Sequence, residues 1–268
     1  MTVSAKEVMA LRKKTGLGMM DCKKALGETN GDQAAAEEML RAQLKGKMDT
    51  RTERAAAEGR LAVKVTGDCS AVAMIEVNTE TDFTARNDYV AEQSAKMVDL
   101  VLDGPAGEVT ASDGITAIID EMRIKTGENA SYRRGVKLEG ACCGCYLHHD
   151  NQKGVVISFT GAVDDDVIAG ICMHATAHVP IAVGVDADDV PAEAIEKVRS
   201  EAREDALSQG KPAEIAEKIV EGRVRKFLAE NTLLGQKYVK DPEGKQTIGD
   251  LLPEGVKILK FVRYAVGV

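Results

Sequence analysis

Two segments of this chain repeat the same order of turn and apolar signals, and this order limits the fold more than any single motif. Each segment has two strand-like runs followed by a helix-like run, at residues 61–65, 71–77 and 88–102 in the first and 143–147, 154–159 and 167–178 in the second. The turns lie at Gly67-Asp68 and Asp150-Asn151. A hairpin followed by a helix predicts antiparallel sheets with helices on one face.

Residues 1–50 have the pattern of three short helices. Ser4 and Glu7 form a capping-box signature, Gly16 ends the first helix, and Asp32 is a good N-cap for the third. A polar and charged stretch at residues 46–59 follows as a linker or an exposed helical connector.

A helical hairpin interrupts the second segment, with Asp189 as a predicted cap and Pro191 near the first turn. Its apolar stripe needs a cover, either its own core or a partner surface. A strand at 256–266 follows. We therefore expect an α+β protein with a three-helix bundle at 1–52, a first core subdomain at 53–140, a second at 141–187 and 234–268, and an inserted helical hairpin at 188–233.

The loop between the second strand and the helix of the first segment, Thr81 to Asn87, is the main candidate for function. It contains Phe83, one of only four Phe in the chain, directly after Asp82. One interpretation is a hydrophobic staple, in which Phe83 folds back on the following helix. The other is a side chain presented to a partner from a rigid scaffold. The second segment has no Asp-Phe in its loop, so this pair is not needed simply to make the turn.

Composition indicates a globular chain of 268 residues, with 44% hydrophobic and 29% charged residues. No apolar run approaches the roughly 18 residues of a membrane span. The first residues have the pattern of a helix start and not of a signal peptide. We therefore expect a cytoplasmic protein.

Charge is unevenly distributed along the chain. Residues 1–60 carry 12 Lys/Arg and 9 Asp/Glu, whereas the remainder carries 23 and 34, within a total formal charge of −8. Broad nucleic-acid binding needs a concentrated positive field, and base stacking needs aromatic side chains. With 3% aromatic residues and no Trp, the chain fits neither requirement. The mildly basic N-terminal part suits an acidic protein surface instead.

Two groups of Cys and His resemble metal ligands. Cys142 and Cys145 have C-x-x-C spacing and His148 follows them, but no second pair completes a usual zinc site. In a strand these two cysteines point to opposite faces, which favours reduced, buried thiols. His174 and His178 are four residues apart without an H-E-x-x-H motif, which favours a packed or surface pair.

Two motifs resemble the elongation factor Ts family. They are T-G-L-G-M-M-D-C-K-K-A-L at Thr15–Leu26 and T-D-F-T-A-R-N at Thr81–Asn87, where Thr84 replaces the usual Val. Shorter matches follow in the family's order at Gly127-Glu128-Asn129, Arg133-Arg134, Met173-His174, Gly210-Lys211-Pro212 and residues 215–223. The resemblance covers essentially the whole chain.

The resemblance implies a guanine-nucleotide exchange factor for elongation factor Tu, without catalytic chemistry of its own. It implies a bundle similar to a ubiquitin-associated domain that docks on the partner's nucleotide domain. Phe83 would act as an apolar wedge, and Asp82 would disturb the contacts that hold Mg²⁺. The implied contact residues are Thr81, Asp82, Phe83 and Thr84 in the loop, Met19, Met20 and Lys23 in the bundle, and Thr126, Gly127 and His148 elsewhere.

The resemblance also implies no cofactor, no resident metal, no direct nucleic-acid contact and no membrane contact. It implies hairpin contacts of a homodimer within a two-plus-two complex. The three Gly-Lys pairs do not fit the phosphate-binding pattern G-x-x-x-x-G-K-[ST], so the nucleotide would be the partner's. Two alternatives stay open: a binding module built on the N-terminal bundle, and a metal or thiol enzyme centred on Cys142, Cys145 and His148.

Overall fold

The structure is a computed structural model that describes residues 3–49 and 54–268. Within these residues it confirms the α+β class. The N-terminal part is a bundle of three helices, α1 (Ala5–Thr15), α2 (Met19–Glu28) and α3 (Gln33–Asp49). Its core contains Val8, Leu11, Cys22, Ala25, Leu26, Ala36 and Leu40.

Local signals set the ends of these helices as expected. The capping box of Ser4 and Glu7 is formed, and Gly16 ends α1 at φ 74°, a left-handed conformation that glycine adopts without strain. The carboxylate of Asp32 accepts the N–H of Ala34 at 2.9 Å at the start of α3. Part of the predicted linker is helical, because α3 extends to Asp49; its residues 50–53 lie outside the described ranges.

The first sheet has the order β1-β2-β4-β3, with antiparallel pairing throughout. Its strands are β1 (Glu58–Val65), β2 (Ala71–Thr79), β3 (Gly107–Glu108) and β4 (Ala130–Glu139). The short helix α4 (Asp82–Ala85) and the longer α5 (Asp88–Leu102) follow β2, and α6 (Asp113–Thr126) precedes β4.

The second sheet is also antiparallel and has the order β5-β6-β7. Its strands are β5 (Cys142–Leu147), β6 (Lys153–Phe159) and β7 (Ile258–Ala265), and its helix is α7 (Asp165–Ala177). The helical hairpin, α8 (Ala192–Ser208) and α9 (Ala213–Asn231), stands between α7 and β7 in the chain.

The two sheets pack face to face, with helices on their outer sides. Between them lies an apolar core that joins Leu61, Val72 and Leu138 of the first sheet to Val156 and Tyr264 of the second. A second core lies between the first sheet and α5 and α6, and a third between the second sheet and α7. All nine residues of β2 are buried because this strand is covered on both faces.

Some elements differ from the sequence expectations. Helix α6 and strand β4 were not predicted, although β4 pairs with β2 along its whole length. Asp189 is not the cap of α8, where Pro191 holds the N-cap position; its carboxylate accepts the N–H of Val185 at 2.7 Å instead. The predicted boundaries between subdomains stay a prediction.

Helices α8 and α9 pack against each other and so bury part of the hairpin's apolar stripe. Ala202, Val220 and Val224 form a small core between α8 and α9. Leu207 and Ile215, two apolar residues near the tip of the hairpin, are exposed. In the part of the chain that the structure describes, no helix is long and apolar enough to cross a membrane.

Candidate functional site

Phe83 stands out of the surface on the connection between β2 and α5, which we call the Phe83 loop (residues 80–87). Its side chain is 83% exposed, whereas the neighbouring Ala85 is buried at 5%. The staple interpretation is therefore wrong. Phe83 lies within α4, and the N-cap of α5 is Asn87, four residues later. Phe83 therefore does not stand directly before the N-cap of α5, the position from which a staple packs on the helix.

Thr81 fixes the start of α4 by two interactions. Its Oγ1 accepts the N–H of Thr84 at 3.3 Å, as an N-cap side chain does. The same hydroxyl donates to the carboxylate of Glu128 at 3.0 Å. A hydrogen bond to a charged acceptor is stronger than a neutral one, so Glu128, which directly follows the C-cap of α6, anchors the loop.

Further contacts hold the two ends of the Phe83 loop. Glu80 accepts the N–H of Asn129 at 2.6 Å and forms an ion pair with Arg54 at 3.4 Å. Arg60 donates to the carbonyl of Ala85 at 3.3 Å. Burial lowers the pKa of the Arg60 guanidinium, and the negative charge of Asp88 opposes this effect. The exposed Phe83 is thus carried on a backbone that is bonded on both sides.

Asp82 lies next to Phe83 and is half-buried. Its carboxylate forms an exposed ion pair with Arg86 at 3.4 Å, a contact of little strength in water. Asp82, Ala85 and Arg86 line a small cleft together with residues 150–152 of the β5–β6 turn. The carboxylate is therefore at the surface and only weakly held by its partner.

The structure brings three of the other expected contact residues towards this loop. Thr126 and Gly127 end α6 and directly precede Glu128, and the hydroxyl of Thr126 accepts the N–H of Glu128 at 3.3 Å. His148 starts the turn whose residues 150–152 line the cleft with Asp82, and its Nδ1 lies 3.1 Å from the hydroxyl of Tyr146.

The N-terminal contact residues stand apart from this group. Met19 and Met20 are the first two residues of α2 and not loop residues, and they are 50% and 75% exposed. Lys23 is exposed one turn further along the same helix. Among the described residues, no hydrogen bond or ion pair joins α2 to the Phe83 loop. These methionines therefore form a second exposed patch, separate from the Phe83 loop.

The Cys and His groups do not converge on a shared site. Cys142 packs against the α7 side of β5, whereas Cys145 packs on the opposite face between the sheets. His174 is fully buried and uses both ring nitrogens: Nδ1 accepts the N–H of Val239 at 3.2 Å, and Nε2 donates to Gln236 at 3.0 Å. The packed interpretation of His174 is confirmed.

Sequence reasoning missed two residues of the site. Glu128 and Arg60 position the Phe83 loop, yet neither was assigned a role. Glu128 was part of a matched motif, and the signal that points to it is Gly127, a helix-ending glycine at φ 74° that turns the following residue towards the sheet. For Arg60, the alternation of side chains along β1 predicts the face of the sheet on which it lies, but it does not predict the hydrogen bond to Ala85.

The family model and the relatives that match this chain belong to the same family. The model of the family described as Elongation factor TS matches residues 80–268. The chain is 43% identical to elongation factor Ts of Thioalkalivibrio sulfidiphilus, over 100% of this chain and 93% of that protein. It is 41% identical to the Methylococcus capsulatus protein, with the same coverages. It is also 41% identical to the one from Burkholderia multivorans, over 99% of this chain and 91% of that protein.

The fold is an α+β core of two antiparallel sheets that carries an exposed loop held at both ends. The chain belongs to the elongation factor Ts family. Membership in this family implies a nucleotide-exchange role in translation elongation.

Proposed function

We propose that this protein is a guanine-nucleotide exchange factor that binds elongation factor Tu·GDP, displaces Mg²⁺ and promotes GDP release, so that GTP can rebind. The observation that carries this proposal is Phe83, a large apolar side chain that is 83% exposed on a backbone bonded from both sides. Burying a Phe side chain contributes about 1.5–3 kcal/mol. A preorganised loop spends little of that energy on ordering itself.

Within this proposal Phe83 and Asp82 have different tasks. Phe83 enters an apolar crevice of the partner and separates elements that surround the nucleotide. Asp82 brings a carboxylate towards the Mg²⁺ site and competes for the polar groups that hold the metal. Once Mg²⁺ is loosened, the phosphate charge of GDP is poorly neutralised and GDP leaves. By linkage, the factor binds nucleotide-free partner more tightly by the factor with which it weakens GDP binding.

Two further surfaces support docking. Met19, Met20 and Lys23 form an apolar patch with a charged rim, which suits the nucleotide domain of elongation factor Tu because Met side chains adapt to a partner. Thr81, Thr84, Thr126, Gly127 and His148 lie in or beside the Phe83 loop and would complete the contact.

The remaining elements of the proposal follow from the same family. The protein works in the cytoplasm, needs no cofactor and carries out no covalent chemistry of its own. It contacts elongation factor Tu and no nucleic acid or membrane. The exposed Leu207 and Ile215 near the hairpin tip are suited to a homodimer within a two-plus-two complex.

The experiment that tests the proposal is release of a fluorescent GDP analogue from elongation factor Tu, chased with excess unlabelled GDP. We expect substoichiometric amounts of this protein to accelerate release, because one molecule serves many partners in turn. The control is Leu100→Ala, which removes another exposed apolar side chain, on α5, and should leave the acceleration unchanged. A folded protein that binds the partner without accelerating release would favour the binding-module alternative.

A further inference from the structure

The turn between β1 and β2 meets the start of β5, and this contact brings two thiol-bearing residues together. The N–H of Cys143 donates to the carbonyl of Cys69 at 2.7 Å. The Sγ of Cys143 lies 3.5 Å from the carbonyl oxygen of Ser70, so its side chain points towards the same turn. A direct N–H to C=O bond holds the Cα atoms of two residues about 5–6 Å apart, inside the range of about 4.4–6.8 Å that disulfides require.

The two thiols differ in their access to solvent. Cys69 lies on the turn and is partly exposed, whereas Cys143 is only 2% exposed and packs in the core between the sheets. Burial, together with the neighbouring Cys142 and Cys69, raises the pKa of the Cys143 thiol to about 11. An oxidant therefore reaches Cys69 first, and Cys143 reacts only from within the protein.

We propose that Cys69 and Cys143 form a reversible disulfide in the presence of a low-molecular-weight disulfide such as oxidised glutathione. The Cys69 thiolate attacks the glutathione disulfide, forms a mixed disulfide and releases one glutathione. The Cys143 thiolate then attacks Sγ of Cys69, and the second glutathione leaves. The two protein thiols lose two electrons and two protons, and the glutathione disulfide gains them.

This bond would fasten the first sheet to the second at the end that is remote from the Phe83 loop. The Cys69 turn precedes β2, and the Phe83 loop follows the other end of that strand, on the order of 30 Å away along its nine residues. The bond closes a loop of about 75 residues, which restricts the unfolded chain. Oxidation thus stabilises the sheet pair without touching the exposed loop.

Peptide mapping of the full chain tests the proposal. The protein is incubated with oxidised glutathione, its remaining thiols are blocked in acid, and it is digested with trypsin. We expect a crosslinked pair of the peptides 65–86 and 138–153, about 2 Da lighter than the sum of the two reduced peptides. The second peptide also contains Cys142 and Cys145, so single variants identify the partner.

Cys143→Ser should abolish the crosslink, whereas Cys142→Ser and Cys145→Ser should retain it. In Cys69→Ser, the buried Cys143 should take up no glutathione, because its access depends on Cys69. If Cys143→Ser proves unfolded by circular dichroism, Cys143→Ala provides the second variant. The rate of the second step should rise with pH, since it needs the Cys143 thiolate. A crosslink that survives loss of Cys143, or a lasting glutathione adduct on Cys69 without a crosslink, would overturn the proposal.

Discussion

The strand-to-helix connections after β2 and after β6 are built on the same plan and end differently. After β2, the Phe83 loop carries its aromatic side chain outward, 83% exposed. After β6, the connection at residues 160–164 carries Val163 inward, where it is 8% exposed and packs against α7 and the second sheet. Each connection follows the second strand of a hairpin and leads into a helix.

Different contacts hold the two connections in place, which shows what the fold requires between strand and helix. The second connection is held by Thr160, whose N–H donates to the carbonyl of Lys257 and whose hydroxyl accepts the N–H of Lys257, both at 2.9 Å. The first is held by Thr81 and Glu128 instead. An apolar side chain that points outward is therefore not needed for the turn. This supports a role in binding for Phe83.

Two Phe residues give the largest contrast in stability. Phe159, the last residue of β6, is fully buried in the core under α7. Phe159→Ala should lower the free energy of unfolding by about 3–5 kcal/mol, because it removes buried area and leaves a cavity. Phe83→Ala should change it by less than about 0.5 kcal/mol. Urea denaturation followed by circular dichroism measures both, and similar losses in the two variants would remove the contrast.

The carboxylate of Asp82 should matter only where Mg²⁺ is bound. With Mg²⁺ present, Asp82→Ala should slow accelerated GDP release from elongation factor Tu by about 10-fold or more, a change of roughly 1.4 kcal/mol. With the metal chelated, variant and parent should release GDP at similar rates, because no metal contact is left to disturb. A deficit that is equally large without Mg²⁺ would assign Asp82 to docking alone.

Local patterns explain how much of this fold the sequence predicts. Gly16, the pair Ser4 and Glu7, and the apolar run along β2 act within a few residues, so they can be interpreted without tertiary contacts. Strand β4 was missed because its burial comes from β2 and the second sheet. In the site, Asp82 and Phe83 were found, but the exposure of Phe83 depends on Thr81 and its bond to Glu128, 47 residues away.

The part of the protein built on the second sheet and α7 should lose stability in acid before the part built on the first sheet and α5. Burial in α7 lowers the pKa of His174 below its usual value of 6.5, with its bond to Gln236 opposing and the neighbouring His178 adding to the shift. The unfolded chain therefore binds the proton more readily, and stability is lost as pH falls below about 6.5. For one proton, the free energy of unfolding changes by at most about 1.4 kcal/mol per pH unit.

Hydrogen exchange between pH 7.5 and 5.5, corrected for intrinsic rates, measures this difference. We expect α7 and the 234–246 segment to lose protection before α5, whose buried polar residues Gln93 and Ser94 do not titrate. His174→Gln should flatten the pH dependence, with His178→Gln as the matched control. Equal acid sensitivity of α5 and α7 would contradict the assignment to His174.

The smallest expected effect belongs to the support of the Phe83 loop. Thr81→Val removes the cap on Thr84 and the bond to Glu128 while preserving the shape of the side chain. We expect a loss of about 0.5–2 kcal/mol in stability, in the usual range for an N-cap, and a several-fold slower exchange. Thr160→Val in the second unit is the control, which should affect stability but not exchange.

The role of the exposed Phe83 is tested by GDP release from elongation factor Tu with Phe83→Ala, compared with the parent and with Leu100→Ala. Leu100 is also an exposed apolar residue, 41% exposed on α5. We expect Phe83→Ala to slow accelerated release by about 10- to 100-fold, as for losing the burial of one Phe, while Leu100→Ala behaves like the parent. Unchanged release with a folded Phe83→Ala protein would contradict the role assigned to the exposed loop.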